Sequence, residues 1–473
     1  MTPNVVLIVA DDLDARSWEA MPYLSSLLRE RGTTFSRCYA TTPICGPSRA
    51  SILRGQYAHN HGVLRNGGEN GGFPAFHAAG HEASTIATWL QEAGYTTGLV
   101  GKYLNGYPRI SRRRGDPVPR TYVPPGWDEW YGVMDRGARG GPDFILNENG
   151  WEVAYEDGLD SYSTDVLARH AVDFLDRAAV ADAPFFLYLA TLVPHAPAVP
   201  AARHAAAFPD ASAPRPPSFD EPDVTDKPAH LRDAPRLSPD QIRAIDESHA
   251  NRLRSLLSLD ELIDRVVATL RGRGVLDTTY LIVTSDHGWH QGEHRLPLGK
   301  ETPYEESIRV PLGVIGPGVA AGRIADDLAL NIDLAPTVAD LAGAEVPPFV
   351  DGRSLTPILH GETLESPRRC FLVEHASAGR TRAYPGLGEM PVVPTYQAVR
   401  CRDDQGDILY VEYVTGECEL YDLSADPFQL DNRALGTSDD LLLRCAERLA
   451  GLRHCASTRC RAIEDVPLDP AIN

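Results

Sequence analysis

The stretch Val5-Val6-Leu7-Ile8-Val9-Ala10-Asp11-Asp12 is an apolar, mostly β-branched run that stops at two aspartates. The pattern returns late in the chain as Thr279-Tyr280-Leu281-Ile282-Val283-Thr284-Ser285-Asp286-His287. A continuous apolar run is typical of a parallel strand that is buried on both faces. Open α/β sheets bind their ligands at the carboxyl ends of such strands. The two runs therefore predict central strands that bring Asp11-Asp12 and Asp286-His287 to the same edge of one sheet.

Further elements alternate between these two strands. Residues 184–190 form a third apolar run, and helical patterns cover residues 85–94, 163–178 and 259–272. Such alternation predicts an α/β fold with a large mixed, mostly parallel sheet covered on both faces by helices. Residues 197–239 are rich in Pro, Ala and Asp without any period, which predicts a long surface excursion close to the site.

The sequence changes in character after the Asp351-Gly352-Arg353-Ser354-Leu355 turn. Short strand-like runs cover residues 370–373, 396–400 and 408–414, and an amphipathic helix follows at 440–452. This pattern predicts a small antiparallel sheet with one helix packed on it. A chain of 473 residues is long enough for a large core and a small one. We therefore expect a catalytic domain over residues 1–355 and a small C-terminal α/β subdomain over 356–473.

Composition and charge exclude several classes of partner. Hydrophobic residues make up 43% and charged residues 23% of the chain, which is typical of a globular protein. The formal net charge of -20 repels phosphate backbones and acidic lipids, so nucleic acid and membranes are not expected partners. A small anionic substrate would need a local cluster of cations that outweighs this overall charge.

The first strand begins almost at once, without a basic start, so we expect a cytoplasmic protein, or a secreted one whose export segment precedes the sequence given. Eight cysteines are too few for a disulfide scaffold in a chain of this length. Cys455 and Cys460 are close enough for a local bridge, and two free thiols are the alternative.

The most specific motif lies in Pro43-Ile44-Cys45-Gly46-Pro47-Ser48-Arg49-Ala50-Ser51-Ile52-Leu53-Arg54-Gly55. It resembles the Cys-x-Pro-Ser-Arg signature of sulfatases, in which a separate formylglycine-generating enzyme reads the Pro and Arg and oxidises the cysteine to formylglycine. Other segments resemble landmarks of the N-acetylglucosamine-6-sulfatase branch of that family: Gly101-Lys102-Tyr103-Leu104-Asn105, Val123-Pro124-Pro125-Gly126-Trp127, Pro194-His195-Ala196-Pro197 and Asn331-Ile332-Asp333-Leu334-Ala335-Pro336-Thr337. Glu419-Leu420-Tyr421-Asp422-Leu423 resembles a C-terminal landmark of sulfatases in general. The resemblance implies a sandwich of the alkaline-phosphatase type and hydrolysis of an O-sulfate ester.

The resemblance implies that Cys45 is the modified nucleophile. A lone cysteine is more often a buried core thiol, but Pro47 and Arg49 at fixed spacing favour the nucleophile. The hydrated aldehyde attacks sulfur with one hydroxyl, and its second hydroxyl then expels sulfate and restores the aldehyde. An unmodified Cys or Ser lacks that second group and cannot complete the cycle.

A divalent metal is expected beside this nucleophile because hydrated aldehydes are weak nucleophiles at neutral pH. The predicted ligands are Asp11, Asp12, Cys45, Asp286 and His287. Oxygen-rich ligands favour Ca2+, with Mg2+ as the alternative, over zinc. Taken alone, the first two aspartates could instead cap a helix; a second acidic strand end favours the metal site.

His287 departs from the branch resembled elsewhere, which usually has Asn at this position. Other sulfatases and the related phosphonate monoester hydrolases have His there. The metal site tolerates this change, but the assignment of the substrate becomes less specific. A phosphonate monoester or phosphodiester hydrolase on the same scaffold is therefore the alternative function.

Four further residues match positions that bind the sulfate oxygens, hold the modified residue or protonate the leaving oxygen: Arg49, Lys102, His195 and Lys300. These cationic or polarising groups meet the demand for a local positive field. Many sulfatases carry a histidine where this chain has Leu104. The base that triggers sulfate expulsion is therefore unassigned among Asn105, His59 and His61.

Together these patterns predict a sulfatase that acts on a small sulfated sugar such as N-acetylglucosamine-6-sulfate, with the formylglycine-generating enzyme as its maturation partner. A catalytically silent binding protein is the alternative from another class. It is disfavoured because the nucleophile and the metal ligands are all present.

Overall fold

The early and the late apolar run lie side by side in the computed structural model, which describes residues 2–109, 118–134, 141, 143–156, 158, 161–403, 406–435 and 439–468. Strand β1 (Asn4–Ala10) pairs in parallel with β9 (Thr279–Ser285), and Ala10 is opposite Ser285. The residues that follow the two strands therefore meet at one sheet edge, as the sequence predicts.

These strands belong to a ten-stranded mixed sheet with the order β12-β2-β11-β9-β1-β8-β4-β5-β6-β7. Strands are numbered along the chain, and the others in this sheet are β2 (Gly32–Phe35), β4 (Thr96–Gly101), β5 (Glu129–Val133), β6 (Phe144–Glu148), β7 (Trp151–Tyr155), β8 (Phe185–Ala190), β11 (Leu312–Ile315) and β12 (Arg323–Ala325). From β9 to β5 all neighbours are parallel, and antiparallel pairs occur only toward the two edges.

Smaller sheets contain the other strands of the residues that the structure describes. A three-stranded sheet contains β3 (Cys38–Tyr39), β10 (Arg309–Val310) and β13 (Ala329–Leu330). A four-stranded antiparallel sheet contains β14 (Cys370–His375), β17 (Tyr396–Asp403), β18 (Gly406–Tyr413) and β19 (Cys418–Asp422). A separate hairpin pairs β15 (Arg382–Tyr384) with β16 (Gly388–Met390).

The helices are α1 (Pro22–Arg31), α2 (Cys45–Arg54), α3 (Ala58–His61), α4 (Gly72–Ala78), α5 (Ile86–Glu92), α6 (Ser163–Ala178), α7 (Ala229–Arg232), α8 (Pro239–Gly272), α9 (Glu305–Ile308), α10 (Leu334–Ala342), α11 (Thr356–Leu359), α12 (Asp439–Leu452) and α13 (Thr458–Glu464). Among the residues that the structure describes, no helix is long and apolar enough to cross a membrane.

The two faces of the large sheet bury different helices. Along β1, Val5, Leu7 and Val9 pack into a core with α2, α5 and α10. The intervening residues pack into a second core with α1, α6 and α8. Side chains alternate across a strand, so one apolar run supplies both cores. The result is the predicted sandwich with helices on both faces of a mixed sheet.

Helix α8 corrects the predicted boundaries. It begins at Pro239 rather than at Leu259, because Ser238 caps its N-terminus in a reciprocal box with Gln241 and proline occupies the first helical position. The apolar stripe on which the prediction was based covers only the second half of α8. The predicted excursion over residues 197–239 ends where α8 begins, and it contains α7.

The C-terminal part has the predicted small antiparallel sheet and its helix, α12. The sequence reading missed the β15–β16 hairpin and α13. A buried ion pair connects this part to the start of α10, since Arg368 Nη2 lies 2.8 Å from Asp333 Oδ1. Arg368 Nε also lies 2.8 Å from Glu464 Oε2 of α13. The division at residue 355 stays a prediction.

Two disulfides lie in this C-terminal part. Cys455 and Cys460 are bridged, with an S–S distance of 2.02 Å, so the bridge rather than two free thiols is present. Cys370 and Cys401 form a second bridge between directly opposed residues of β14 and β17. Their separation of 31 residues gave no local signal in the sequence.

Candidate active site

Cys45 is the first residue of α2, and it is buried, with 1% of its surface exposed. Ile44 before it is extended, so the chain turns into the helix at the cysteine. The N–H of Gly46 donates to Asn66 Oδ1 at 2.6 Å. The free N–H groups at a helix N-terminus favour negative charge. The sequence thus places the sulfur where an anion is stabilised.

The ends of β1 and β9 surround this sulfur. His287 Nε2 lies 3.3 Å and Asp12 Oδ1 lies 3.9 Å from Cys45 Sγ. Asp286 Oδ1 accepts the N–H of Asp12 at 3.0 Å and the N–H of His287 at 3.0 Å, which fixes the two strand ends to each other. Asp12 adopts a φ of 66°, a conformation that non-glycine residues rarely adopt and that is common at functional sites.

The donor set fits a divalent metal. Oxygen, nitrogen and sulfur atoms of Asp12, Cys45 and His287 lie within 4.8 Å of one another, and so do those of Asp11, Cys45 and Asp286. Asp12 Oδ2 is buried and has no hydrogen-bond partner in the protein. The Nδ1 atom of His287 lies 3.0 Å from the carbonyl of Gly288, which holds the proton on Nδ1 and leaves Nε2 free to ligate. Buried carboxylates with an unsatisfied oxygen are suited to a hard cation.

The electrostatics of these groups favour charged ligands. Burial alone would raise the pKa of Asp11, but Lys102, His195 and Arg49 outweigh it and hold that pKa well below its ordinary value. Burial would lower the pKa of His287, yet Asp286, Cys45 and Asp12 raise it to about 9. The site therefore favours a positive charge at His287 Nε2, which a bound metal would supply in place of the proton.

Three predicted cations contact the same carboxylates. Lys102 Nζ lies 2.8 and 2.7 Å from the two oxygens of Asp11. Lys300 Nζ lies 2.6 Å from Asp12 Oδ1 and 3.1 Å from Cys45 Sγ. Arg49, with a fully buried side chain, donates from Nε to Asp286 Oδ2 at 3.0 Å. Arg49, Lys102 and Lys300 thus balance the charges of Asp11, Asp12 and Asp286, so a bound divalent cation would give the site the net positive charge that an anionic substrate requires.

Lys102 and Lys300 also act on the sulfur. Burial would raise the pKa of the Cys45 thiol, but these two ammonium groups lower it below its ordinary value. The site therefore stabilises negative charge on the atom at this position.

His195 lies where the site opens to solvent. Its Nε2 lies 3.8 Å from Asp12 Oδ2, and its Nδ1 lies 2.6 Å from the carbonyl of Ala196. Its side chain is 31% exposed, whereas that of Asp12 is fully buried. A group at the boundary between the buried anions and solvent can reach a leaving oxygen that points outward.

The structure narrows the candidates for the unassigned base. His59 contacts Glu374 and the carbonyl of Cys455 through its two ring nitrogens. His61 contacts Ser51 Oγ at 3.0 Å through Nε2. Both rings are thus held by partners away from Cys45. Asn105 has a buried Oδ1 without a hydrogen-bond partner, but an amide does not take up a proton at neutral pH, so the base stays unassigned.

Sequence reasoning missed several supporting residues. Arg252, fully buried, donates to the carbonyl of Asp12 at 2.7 Å and to the carbonyl of Pro194 at 3.1 Å, so it joins the end of β1 to the segment that carries His195. Asn331 donates to Ser48 Oγ at 2.9 Å. Asn331 lies in a recognised landmark, but an arginine within a long helix gives no local signal of this role.

Family profiles and similar proteins agree with this geometry. A profile described as Sulfatase matches residues 3–344, and one described as N-sulphoglucosamine sulphohydrolase, C-terminal, matches residues 292–452. The N-acetylglucosamine-6-sulfatase of Homo sapiens is 35% identical over 482 residues, which cover 97% of this chain and 86% of the relative.

The fold of this chain resembles those of solved structures. One protein, solved in complex with its substrate D-glucosamine-2-N,6-O-disulfate, has a TM-score of 0.76 at 23% identity and covers 99% of this chain and 100% of its own. The phosphonate monoester hydrolase of Silicibacter pomeroyi has a TM-score of 0.72 at 26% identity and covers 94% of this chain and 93% of its own. The predicted sandwich fold is thereby confirmed.

Proposed function

The chain belongs to the sulfatase family and is a sulfuric ester hydrolase, and we propose that it removes sulfate from a small sulfated sugar such as N-acetylglucosamine-6-sulfate. One observation carries the proposal: the carboxylates and the imidazole that end β1 and β9 converge on Cys45 Sγ at the N-terminus of α2.

We propose that Asp11, Asp12, Asp286 and His287, with the modified Cys45, hold one divalent metal. Sulfatases as a family use a formylglycine and a divalent metal. The metal would supply Lewis acidity, which lowers the pKa of a bound hydroxyl and stabilises charge on a sulfate oxygen. The mainly carboxylate ligand set favours Ca2+, with Mg2+ as the alternative.

The cations around the nucleophile have complementary roles in this proposal. Lys102 and Lys300 would bind sulfate oxygens, since each ammonium already lies against a buried anion of the site. Arg49 would hold Asp286 in place rather than bind substrate, because its side chain is fully buried. Charged donors fixed in a buried site stabilise the charge that develops in the transition state.

We propose that His195 donates the proton to the leaving oxygen. Replacing His195 by Ala is expected to lower kcat/KM for N-acetylglucosamine-6-sulfate by about 10²- to 10⁴-fold, because a sugar alkoxide leaves poorly without a proton. For 4-nitrophenyl sulfate the loss is expected to be much smaller, since nitrophenolate leaves unassisted. Steady-state kinetics on both substrates measures the difference.

His204→Ala, a histidine in the excursion that begins just after His195, is the matched control for that variant. It should leave both substrates unaffected. An equal loss on the two substrates in His195→Ala would mean that the residue binds sulfate or supports the fold and is not the proton donor.

The alternative is a phosphonate monoester or phosphodiester hydrolase, and His287 is the observation that favours it. Kinetics of the metal-loaded enzyme on N-acetylglucosamine-6-sulfate, a 6-sulfated polysaccharide, 4-nitrophenyl sulfate and 4-nitrophenyl phenylphosphonate tests both functions. We expect the monosaccharide to give the highest kcat/KM among the natural esters. A specificity constant that is highest for the phosphonate, or for internal sulfates of the polymer, would contradict the proposed substrate.

Maturation and location follow from the same proposal. The formylglycine-generating enzyme would be the transient partner that modifies Cys45. The cytoplasmic location stays a prediction. The bridges Cys370–Cys401 and Cys455–Cys460 favour the secreted alternative, because disulfides persist in an oxidising compartment and rarely in a reducing one.

A further inference from the structure

The β15–β16 hairpin, which sequence reasoning missed, reaches the candidate active site. The ring of Tyr384 on β15 lies 5.8 Å from that of Trp289, in an edge-on arrangement. Lys300 Nζ, which contacts Cys45, lies 5.5 Å from the same Trp289 ring. Helix α8 contacts the turn of the hairpin, where the Gln241 side chain donates a hydrogen bond to the carbonyl of Leu387 at 3.1 Å. The hairpin of the C-terminal part therefore packs against Trp289 and forms a wall beside the nucleophile.

An ion pair connects this wall to the nucleophile segment. The guanidinium of Arg382 on β15 donates to the carboxylate of Glu301. Glu301 directly follows Lys300, and its N–H donates to the carbonyl of Pro43 at 3.1 Å, two residues before Cys45. Its φ of 82° is a strained conformation that the surrounding contacts must hold.

The pair lies within electrostatic reach of the reacting atoms and is still open to solvent. Burial would lower the pKa of Arg382, but Glu301, Tyr384, Cys45 and Asp12 outweigh it and raise that pKa. The Arg382 side chain is 37% exposed and that of Glu301 is 16% exposed. Both groups can thus contact a molecule whose sulfate lies against Cys45.

The chemistry of the Arg382–Glu301 pair indicates that its ligand is a neutral group that carries hydroxyls. Glu301 cancels the charge of Arg382, so the pair has little net attraction for a second anion. The guanidinium has five N–H donors in a planar fork, and the carboxylate is a strong acceptor. Neighbouring sugar hydroxyls both accept and donate hydrogen bonds, so they satisfy the two groups together. An aromatic leaving group offers no such pair of hydroxyls.

We propose that Arg382 and Glu301 bind the hydroxyls of the sugar that carries the sulfate, and thereby select sulfated sugars over sulfated aryl alcohols. This inference rests on the proposed sulfatase function. It makes the two residues specificity determinants, separate from the groups that bind the sulfate itself. Sites built to hydrogen-bond a substrate hydroxyl reject analogues that lack it, because their own polar groups are then left unpaired.

The test compares Arg382→Ala and Glu301→Gln with the unaltered enzyme on N-acetylglucosamine-6-sulfate and on 4-nitrophenyl sulfate. Loss of a charged hydrogen bond to the sugar is expected to lower kcat/KM for the sugar by about 10- to 100-fold in each variant. For the aryl sulfate we expect a change of less than about threefold, since that substrate has no hydroxyls to lose contact with. Arg380→Ala, an exposed arginine two residues before β15, is the matched control and should behave like the unaltered enzyme.

The aryl sulfate also reports whether each variant folds. If Arg382→Ala loses both activities together with its thermal transition, Glu301→Gln, which keeps the size of the side chain, decides. Equal losses on both substrates in Glu301→Gln, or no loss on either, would overturn the inference. An unaltered enzyme that cleaves 4-nitrophenyl sulfate but not the sugar would overturn it too. An unaltered enzyme that cleaves only the aryl phosphonate would instead refute the proposed function.

Discussion

Replacing Cys45 by Ser is expected to abolish steady-state sulfate release, by about 10⁴-fold or more, while still allowing one sulfate to be captured. The serine hydroxyl occupies the place of the nucleophile against Lys300 and His287. It can attack sulfur once, but no second hydroxyl remains on the same carbon to expel the product. Intact-protein mass spectrometry after incubation with substrate should therefore find the covalent sulfate ester.

The unaltered enzyme provides the complementary measurement. Peptide mass spectrometry should find the peptide that contains Cys45 as the aldehyde, and the specific activity of different preparations should rise with the aldehyde fraction. Cys418→Ser, at a half-buried free cysteine on β19, is the control and should turn over normally. Fully active enzyme with only unmodified Cys45 would refute the mechanism.

Replacing Asp286 by Ala is expected to remove both the bound metal and turnover, the latter by about 10³-fold or more. Its carboxylate fixes the strand ends by accepting the N–H groups of Asp12 and His287, and it also pairs with the buried Arg49. The variant would leave that arginine with a weaker counter-charge and the metal with one ligand fewer. Elemental analysis of the purified protein gives the metal content, and kinetics gives the loss.

Asp286→Asn separates the two effects, because it keeps the shape and the hydrogen-bond acceptor but lacks the charge. Asp277→Ala is the control, since Asp277 is an exposed carboxylate just before β9, with 84% of its side chain exposed. An unchanged metal-to-protein ratio in both variants at Asp286 would exclude this residue from the metal site.

The sequence was most informative where one local pattern determined both fold and site. The apolar runs that end in Asp11-Asp12 and Asp286-His287 predicted adjacent parallel strands, because burial on both faces leaves few other solutions. Cys45, Arg49, Lys102, His195 and Lys300 were recovered from motifs. The structure brings all of these residues together, whereas their individual roles stay predictions.

The sequence was least informative where partners come from distant elements. Arg252 reaches the carbonyl of Asp12 from the middle of α8, and Arg382 reaches Glu301 from a short hairpin. Neither contact leaves a periodic or motif signal, because each depends on how whole elements pack. The N-terminal boundary of α8 was missed for a simpler reason. The helix was predicted from the apolar stripe that starts at residue 259, and the Ser238 cap lies far before that stripe.

The burial of Cys45 also sets the order of events during biosynthesis. With 1% of its surface exposed and with the Lys300 and His287 side chains against its sulfur, the residue is out of reach of any second protein once α2 has docked. In the proposed mechanism, the oxidising enzyme would therefore act on the nascent or unfolded chain. The fraction of active molecules would then be decided before folding is complete, and a chain that folds unmodified would stay inactive.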